Sequence, residues 1–554
     1  MSRVERRAAE RVERAAARRG RKAAALSSAA VLASAGAGAA VVMTEGAAGA
    51  NPVLVVDTLA DGGAGSLRQA ILDANSTGGQ DRIEFTVAGT MTLSADLPVI
   101  SDGVDIAGPG AGSLTVDGDG AYRVFRIDTV TTGTVSIDGL TVTGSIQAGI
   151  AAYYTDVPIT LSSMVVTGNV FSRGAGIQVY NNITDITISD VTVSDNSAYL
   201  NGGGLYADAG GPGQHITITG SRFTNNDTDG SGGGIHVRHS TLLVSDTTVS
   251  GNTAGNAGGG VSLYETYGVT LDGVTVTGNQ ALGGGGIAAG AGEVTITHST
   301  ISDNDGYIGG GLFEQYGTMT VTASTVSGND ALVFGGGAAS YFGATVAFQN
   351  ATVSGNSAEF GGGIVVAEDS TATLASTTVT ANTARATPDA VHGIMVAGAG
   401  LTGIAERIGG RRPGPLVAPP AGVLEITGSI VAGNGNLDVG SYGDVPVAVG
   451  TRSSVLGLVD AATVTVIDLG GTVAGVTAEQ LLLGPLADNG GPTLTHALLS
   501  GSVAIDAGGT TVGPFAGSEW DQRGDGYFRL VNGVADAGAF EVQPPPEPEP
   551  TFTG

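Results

Sequence analysis

Four residues in the middle of the chain have side chains that could exchange protons with a substrate. His236 and Arg238 occupy alternate positions of one predicted strand, and Asp208 and Glu265 lie close to the matching positions one repeat earlier and one repeat later. Imidazole and carboxylate groups are common general acids and bases. The group is therefore a possible catalytic site, and its alternative interpretation is an ordinary solvated polar strand.

Known sequence signatures do not support assigning catalytic residues. The polygalacturonase-like motifs N-T-D, D-D, G-H-G and R-I-K do not occur, and Arg411-Arg412-Pro413 does not reproduce the R-x-P-x-x-R run of pectate-lyase-like enzymes. An unfamiliar lyase or hydrolase site around His236 remains an alternative to a non-enzymatic function.

Tyrosines are concentrated in, or just beyond, the short strands that follow glycine-rich runs. The repeat alignment places one residue from each of eight successive units in a single row that we expect to face outward: Tyr153, Tyr180, Asp208, Arg238, Tyr264, Gly290, Gln315 and Tyr341. Aromatic rings mixed with hydrogen-bonding groups are typical of sugar-binding surfaces. We therefore predict ligand contacts at Tyr153, Tyr180, Tyr206, Tyr264 and Tyr341, or else rings that merely cover the edge of a glycine-rich turn.

Two further segments carry residues that could bind a ligand. Residues 397–421 interrupt the repeats and contain Arg407, Arg411 and Arg412, in a chain that is otherwise acidic. Insertions in repeat proteins emerge as loops and often bind, although a merely tolerated insertion is equally compatible with the pattern. Asp117 and Asp119 could hold Ca²⁺, but turn formation explains them better because the spacing does not match an EF-hand loop.

The element that must position all these residues is a repeat of 25 to 30 residues. Each unit contains an apolar residue, then two small or polar residues, then an Asn. A glycine-rich run follows the Asn. Apolar residues alternate with Thr and Ser, as in strands with one buried face. The pattern predicts an all-β, right-handed parallel β-helix of roughly 10–13 coils. Stacked asparagines would form an internal ladder of hydrogen bonds: Asn169, Asn196, Asn226, Asn252, Asn279, Asn304, Asn329, Asn356 and Asn382.

Composition and the N-terminus indicate an exported protein. Residues 1–22 hold nine Arg or Lys, residues 26–43 are small and apolar, and Ala48-Gly49-Ala50 is a candidate cleavage site. This order predicts a signal peptide over residues 1–50, with an uncleaved membrane anchor as the alternative. From residue 51 there are 14 Arg, no Lys and 47 acidic residues, a formal charge of −33. Such a chain repels nucleic acid and anionic membranes, and it has no Cys for disulfides.

Three segments resemble parts of secreted bacterial β-helix proteins. "GSLRQAILDAN" (residues 65–75) is similar to the CSLREA signature, and the V-x-x-N and GGG-I/L/V repeats resemble those of polymorphic outer-membrane proteins. "GPLADNGGPTLTHALLSGSVAIDAG" (residues 484–508), "DQRG" and "DAGAFE" look like a choice-of-anchor Q domain, which closes many bacterial surface β-helices. The resemblance implies an extracellular or cell-surface location and no particular reaction.

These observations define five segments and one leading hypothesis. We expect a signal peptide at 1–50, an N-terminal cap with a helix at 51–100, coils at 101–435 with the insertion 397–421, C-terminal coils and a β-rich cap at 436–543, and a Pro/Glu-rich tail at 544–554. The leading hypothesis is a monomeric scaffold that binds polysaccharide or another cell-surface component, without a cofactor and without a membrane-spanning segment after signal removal. A passive stalk of the cell envelope is a further alternative.

Overall fold

The computed structural model describes residues 53–182, 184–209, 214–386, 390–397, 422–442, 446–512, 514–515 and 517–544. The predicted signal peptide, the tail 545–554 and most of the insertion lie outside these residues. Three long parallel sheets run through the described chain and contain 16, 14 and 12 strands. The second sheet counts 14 coils, slightly more than the roughly 10–13 expected, and the first sheet extends beyond it at both ends.

The strands of the three sheets succeed one another around each coil. The first sheet comprises Val53–Val56, Asp81–Phe85, Val104–Ala107, Val135–Asp138, Ile159–Ser162, Ile186–Ser189, His215–Thr219, Thr241–Ser245, Val269–Asp272, Glu293–Thr297, Thr318–Thr322, Thr345–Gln349, Thr371–Ala375, Val423–Thr427, Val447–Arg452 and Val464–Asp468. The second sheet comprises Gly89–Thr92, Leu114–Asp117, Thr141–Thr143, Val165–Thr167, Thr192–Ser194, Arg222–Thr224, Thr248–Ser250, Thr275–Thr277, Thr300–Ser302, Thr325–Ser327, Thr352–Ser354, Thr378–Thr380, Ile430–Val431 and Val455–Leu456. The third sheet comprises Phe125–Asp128, Ile150–Tyr153, Ile177–Tyr180, Leu205–Asp208, Ile235–Arg238, Val261–Tyr264, Ile287–Gly290, Leu312–Gln315, Ala338–Tyr341, Ile364–Ala367, Val391–Ala397 and Leu437–Tyr442.

Shorter sheets complete the coils. Two four-stranded parallel sheets lie between the second and third sheets along the chain: one comprises Val170–Arg173, Ser197–Asn201, Asp227–Thr228 and Thr253–Ala254, and the other Asp305–Ile308, Asp330–Phe334, Ser357–Ala358 and Thr383–Ala384. The strands Leu483–Ala487 and Thr495–Leu498 form an antiparallel pair near the C-terminus.

Alternation along each strand fills the interior. In Val269–Asp272, Val269 and Leu271 are buried whereas Thr270 and Asp272 are half-buried. The strand pairs in register with the coils before and after it, so Val269 lies between Leu242 and Val294. Parallel strands repeat at about 4.8 Å, and each coil therefore adds its apolar side chains to one continuous core.

The repeated asparagines occupy one buried column beside this core. Asn226 is typical: its Nδ2 donates to the carbonyl of Val193 (2.9 Å) and to Asn252 Oδ1 (3.0 Å), and its Oδ1 accepts from the backbone N (3.1 Å) and Nδ2 (3.0 Å) of Asn196. The column continues past Asn382 to Asn434, whose Oδ1 accepts from Asn382. The interval of 52 residues from Asn382 to Asn434 is therefore a single coil that contains the insertion.

The N-terminal end of the stack is covered by helix α1 (Leu67–Thr77). Its buried residues are Leu67, Ala70, Ile71 and Ala74, which form one apolar face of the helix. Ser66 caps the helix by accepting from the backbone N of Gln69 (3.2 Å), but Gln69 Nε2 donates to Asp73 (2.8 Å) instead of returning to Ser66. Only one of the two hydrogen bonds of a capping box is therefore formed between Ser66 and Gln69.

The C-terminal segment, residues 476–543, begins with helix α2 (Ala478–Leu481) and folds back along the outside of the second sheet. Thr325 Oγ1 donates to the carbonyl of Leu494 (2.6 Å), and Thr352 Oγ1 donates to Gln522 Oε1 (2.6 Å). Thr352, in the middle of the covered face, is completely buried. The segment therefore packs on the side of coils that precede it by about 170 residues.

A buried ionic network holds this segment together. Asp521 accepts from the Nε (3.0 Å) and Nη2 (2.6 Å) of Arg523, and both side chains are almost fully buried. Arg529 is also buried and donates to Asn350 Oδ1 in the coil beneath (2.7 Å). Buried charges are tolerated only when they are paired and hydrogen-bonded. The hydrogen bond between Arg529 and Asn350 joins the segment to the stack.

Candidate functional site

The outer face of the third sheet brings together most of the residues predicted to bind a ligand. Each four-residue strand points its first and third residues into the core, and its second and fourth residues outward. The fourth residues lie in register from coil to coil, in the order Tyr153, Tyr180, Asp208, Arg238, Tyr264, Gly290, Gln315 and Tyr341. This row matches the alignment made from the repeats.

Exposure differs strongly along the row. Tyr264 is 46% exposed, and Tyr153 and Tyr180 are half-buried. Tyr341 has no exposed surface, and Tyr206, a second-position residue, is 1% exposed. The expectation that these two tyrosines present their rings to solvent is therefore wrong.

Local packing explains both corrections. The ring of Tyr341 lies against Phe313 (5.9 Å between centroids) and Phe342 (6.1 Å), within an apolar cluster on the outside of the later coils. The ring of Tyr206 lies beneath a glycine-rich turn, where a Cβ on Gly202 would come within 2.7 Å of Tyr206 Cβ. Gly202 has φ +66°, a conformation that glycine adopts without steric cost. The chain therefore turns directly over the second-position side chains.

Three arginines lie over three of the tyrosines. The Cζ atoms of Arg126, Arg173 and Arg238 are 4.8, 5.6 and 5.2 Å from the ring centroids of Tyr153, Tyr206 and Tyr264, respectively. Cation–π contacts of this kind hold guanidinium groups parallel to a surface. Two of these arginines are also ion-paired, Arg126 with Asp128 and Arg238 with Asp208.

The structure joins three of the four candidate acid–base residues, Asp208, Arg238 and Glu265, into one cluster and adds two more residues. Asp208 Oδ2 accepts from the hydroxyl of Tyr206 (2.8 Å), and Asp208 Oδ1 lies 2.8 Å from His239 Nδ1. His239 Nε2 lies 2.8 Å from Glu265 Oε2, and Arg238 Nη1 is 3.8 Å from Asp208. We call Tyr206, Asp208, Arg238, His239 and Glu265 the polar cluster.

Backbone conformation creates the polar cluster. His239 and Glu265 directly follow the fourth strand residue in adjacent coils, and both have left-handed backbones (φ 49° and 50°). This conformation is uncommon for residues other than glycine. It ends the strand and directs the next side chain along the edge of the sheet, so His239 reaches Asp208 in the preceding coil and Glu265 in the following one.

His236 is not part of the polar cluster, and its side chain is buried. Its ring stacks on Tyr206, with 5.5 Å between centroids and 8° between planes. Within the described chain, neither ring nitrogen makes a hydrogen bond. Burial, followed by the charge of Arg238, lowers the pKa of His236 to about 3. The imidazole is therefore neutral at physiological pH, with one donor and one acceptor.

A cavity of about 250 Å³ opens on this face beside the polar cluster. Its lining includes His236, Arg238, Tyr264, Gly290 and Gln315. The cavity exists because the row has no side chain at Gly290, between Tyr264 in the preceding coil and Gln315 in the following one. The sequence contains this signal, a glycine in an otherwise large and polar row.

We expect His239 to titrate above pH 6.5. Its hydrogen bond to Asp208, and secondarily that to Glu265, raises its pKa. The stability contributed by the charged form is fully present below the unfolded pKa of about 6.5 and is lost as pH rises through the folded pKa. A two-dimensional NMR titration would measure the midpoint, with His239→Gln used to assign the signal. Asp208→Asn should lower the midpoint more than Glu265→Gln does, and equal midpoints in the wild type and both variants would contradict the assigned contacts.

The other sequence candidates lie apart from this face. Asp117 Oδ1 accepts from the backbone N of Asp119 (2.9 Å), and Asp119 has φ 55°, which is turn geometry. The described residues contain no group of three or more His, Cys, Asp or Glu arranged to hold a metal ion. Arg407, Arg411 and Arg412 lie outside the described residues. No helix within the described ranges is long and apolar enough to cross a membrane.

Comparison with known proteins agrees with the architecture. The family model for a right-handed β-helix region matches residues 209–384. The fold is a right-handed parallel β-helix. No curated protein sequence matches the chain significantly.

Two solved structures of enzymes are distantly similar to the chain. The A-module of the mannuronan C-5 epimerase AlgE4 from Azotobacter vinelandii has 15% identity and a TM-score of 0.34, covering 74% of this chain and 93% of that module. The catalytic unit of an α-1,3-glucanase from Streptomyces thermodiastaticus has 14% identity and a TM-score of 0.20, covering 79% and 72%. Scores at this level say nothing about the activity of the chain.

Proposed function

We propose that the protein is an exported scaffold that binds polysaccharide through the outer face of its third sheet. The observation that carries the proposal is the row of Tyr153, Tyr180 and Tyr264, which stand in register on one face together with Arg126 and Arg238. Rings offer flat apolar area to a sugar, and guanidinium groups offer hydrogen-bond donors. A row that advances by one coil at a time suits a ligand that is itself a linear repeat.

Charge and composition support a saccharide over other partners. The formal charge of −33 after residue 50 disfavours nucleic acid and anionic membranes. The basic and then apolar N-terminus supports export, and a chain without Cys needs no disulfide formation outside the cell. An extracellular or cell-surface location belongs to the same proposal.

We expect the double variant Tyr180→Ala, Tyr264→Ala to lose retention on insoluble polysaccharide. Each ring contributes roughly 1 kcal/mol or more to an aromatic contact, so two losses should weaken binding about tenfold or more. Depletion of the purified chain from solution by a panel of neutral and acidic polysaccharides measures the effect. Tyr267→Ala is the matched control because Tyr267 is 52% exposed but lies outside the row. Equal retention of the double variant and the wild type would eliminate the row as the binding surface.

The polar cluster favours a second candidate function, cleavage of the bound polysaccharide. Tyr206, Asp208, His239 and Glu265 form a continuous chain of hydrogen bonds beside the cavity. Such a chain can hold and move a proton. Burial and the hydrogen bond to Asp208 raise the pKa of Tyr206 to about 12, so the phenol stays protonated at neutral pH and donates its hydrogen bond to Asp208. Soluble sugar released in the same supernatants, and lost in Asp208→Asn, would establish cleavage; binding without release would leave the scaffold function alone.

A further inference from the structure

The cavity beside Gly290 is surrounded by buried hydrogen-bonding groups without partners. Among the described residues, no acceptor meets Arg238 Nε or Gln315 Nε2, and no group bonds either ring nitrogen of His236. All three side chains line the cavity. Buried polar groups in folded proteins are almost always satisfied. Three unsatisfied side chains around one opening therefore point to a missing ligand.

The chemistry of these groups specifies that ligand. The guanidinium Nε and the amide Nε2 are donors only, and the neutral imidazole of His236 adds one more donor. Asp208, the nearby carboxylate, already accepts from Tyr206 and lies against His239. The cavity therefore offers donors to an incoming group that can accept several hydrogen bonds, and a carboxylate accepts up to about four.

We propose that this cavity binds the carboxylate of an acidic sugar, with the sugar ring lying on Tyr264. The inference rests on the proposed polysaccharide-binding function and names its substrate class, a hexuronate-containing glycan. Tyr264 is 46% exposed and lines the cavity next to Gly290, where an added Cβ would lie 3.4 Å from the ring. A ring stacked there directs one substituent into the cavity.

Isothermal titration of the full chain with hexuronate oligosaccharides tests this proposal. The probes are oligomers of galacturonate, glucuronate, mannuronate and guluronate, each paired with its methyl ester, in which the carboxylate is uncharged and the ring is unchanged. At least one acid should bind about 30-fold tighter than its ester, because losing a partner of a buried charge is costly. Arg238→Gln should abolish that preference.

Two further variants separate the cavity from general charge effects. Gly290→Leu fills the cavity without removing a charge, and Gly290 has an ordinary backbone conformation that accepts a side chain; it should also abolish binding. Arg222→Gln removes an exposed arginine on the second sheet and should leave affinity unchanged. Thermal unfolding of each variant verifies that the fold is retained.

The outcomes distinguish this inference from the function on which it rests. Equal affinity for acid and ester, or binding of neutral glycans alone, would overturn the carboxylate site and leave polysaccharide binding intact. If Gly290→Leu still preferred the acid over its methyl ester, the carboxylate would have to bind outside the cavity. Failure of the wild type to bind any polysaccharide would overturn the proposed function itself.

Discussion

Replacing Asn226 with Ala should destabilise the β-helix by about 3–5 kcal/mol. The substitution removes four hydrogen bonds made by a completely buried side chain. It leaves the carbonyl of Val193 and the backbone N of Asn196 without these partners, in a place that water does not reach. A buried donor or acceptor without a partner costs about 1–3 kcal/mol. The shift in the urea midpoint, followed by circular dichroism, measures the loss.

The adjacent residue is the matched control. Asn225 is exposed and has φ 54°, so Asn225→Gly keeps the backbone conformation and removes no ladder contact. Its unfolding midpoint should stay close to that of the wild type. Asn226→Asp should be at least as harmful as Asn226→Ala, because it replaces the amide donors by a buried charge. A stable Asn226→Ala variant would show that the column of asparagines contributes little to the fold.

Replacing Glu314 with Gln should make the protein more stable at alkaline pH. Glu314 occupies a core-facing position between Ala289 and Ser340 and is 1% exposed. Burial raises its pKa to about 8, although the nearby backbone N–H groups of Gly317 and Gln315 act in the opposite direction. The carboxyl is therefore protonated in the folded protein at neutral pH, whereas the unfolded chain ionises near its ordinary pKa of 4.5.

The sign of the pH dependence follows from this difference. Between pH 4.5 and about 8 the folded state binds more protons at Glu314 than the unfolded state, so stability falls as pH rises. Glutamine is uncharged at every pH and removes this loss. The free energy of unfolding of Glu314→Gln should therefore equal that of the wild type at pH 4.5 and exceed it by about 3–5 kcal/mol at pH 9.

Denaturant titrations at both pH values measure the Glu314 effect. The difference between variant and wild type isolates this residue from the other carboxyl groups, which titrate in both proteins. Glu293→Gln is the control because Glu293 is exposed, on the first-sheet strand of the same coil. A constant difference between pH 4.5 and pH 9 would contradict the proposed protonation of Glu314.

The sequence predicted the orientation of side chains that recur in every repeat. It missed the burial of side chains that depends on contacts outside the coil. Asn226 and Val269 recur at fixed intervals, so their inward orientation follows from the strand period. The burial of Tyr341 depends on Phe313 and Phe342, which are outward-facing in sequence but pack against one another. The apolar second-position residues Ala288, Phe313, Ala339, Val365 and Met395 were a usable signal for that cluster.

The alternation of residues along strands could not predict the polar cluster or the position of the C-terminal segment. His239 meets Asp208 because its backbone is left-handed, and neither residue type nor spacing fixes that conformation in advance. Gln522 bonds Thr352 across 170 residues, and no local pattern encodes such a distance. Thr352 has the same residue type as Thr275 and Thr248, yet only Thr352 is fully buried.

The way the C-terminal segment packs on the second sheet has a consequence for the order of folding steps. Its contacts reach three separate coils, through Thr325, Thr352 and Thr378. That surface exists only once those coils have stacked, whereas each coil needs only its neighbour to form. We therefore expect docking to be the last step of folding, and undocking to be the first step of unfolding for the coils that the segment covers. In this order, the segment docks on coils that have already stacked and stabilises them.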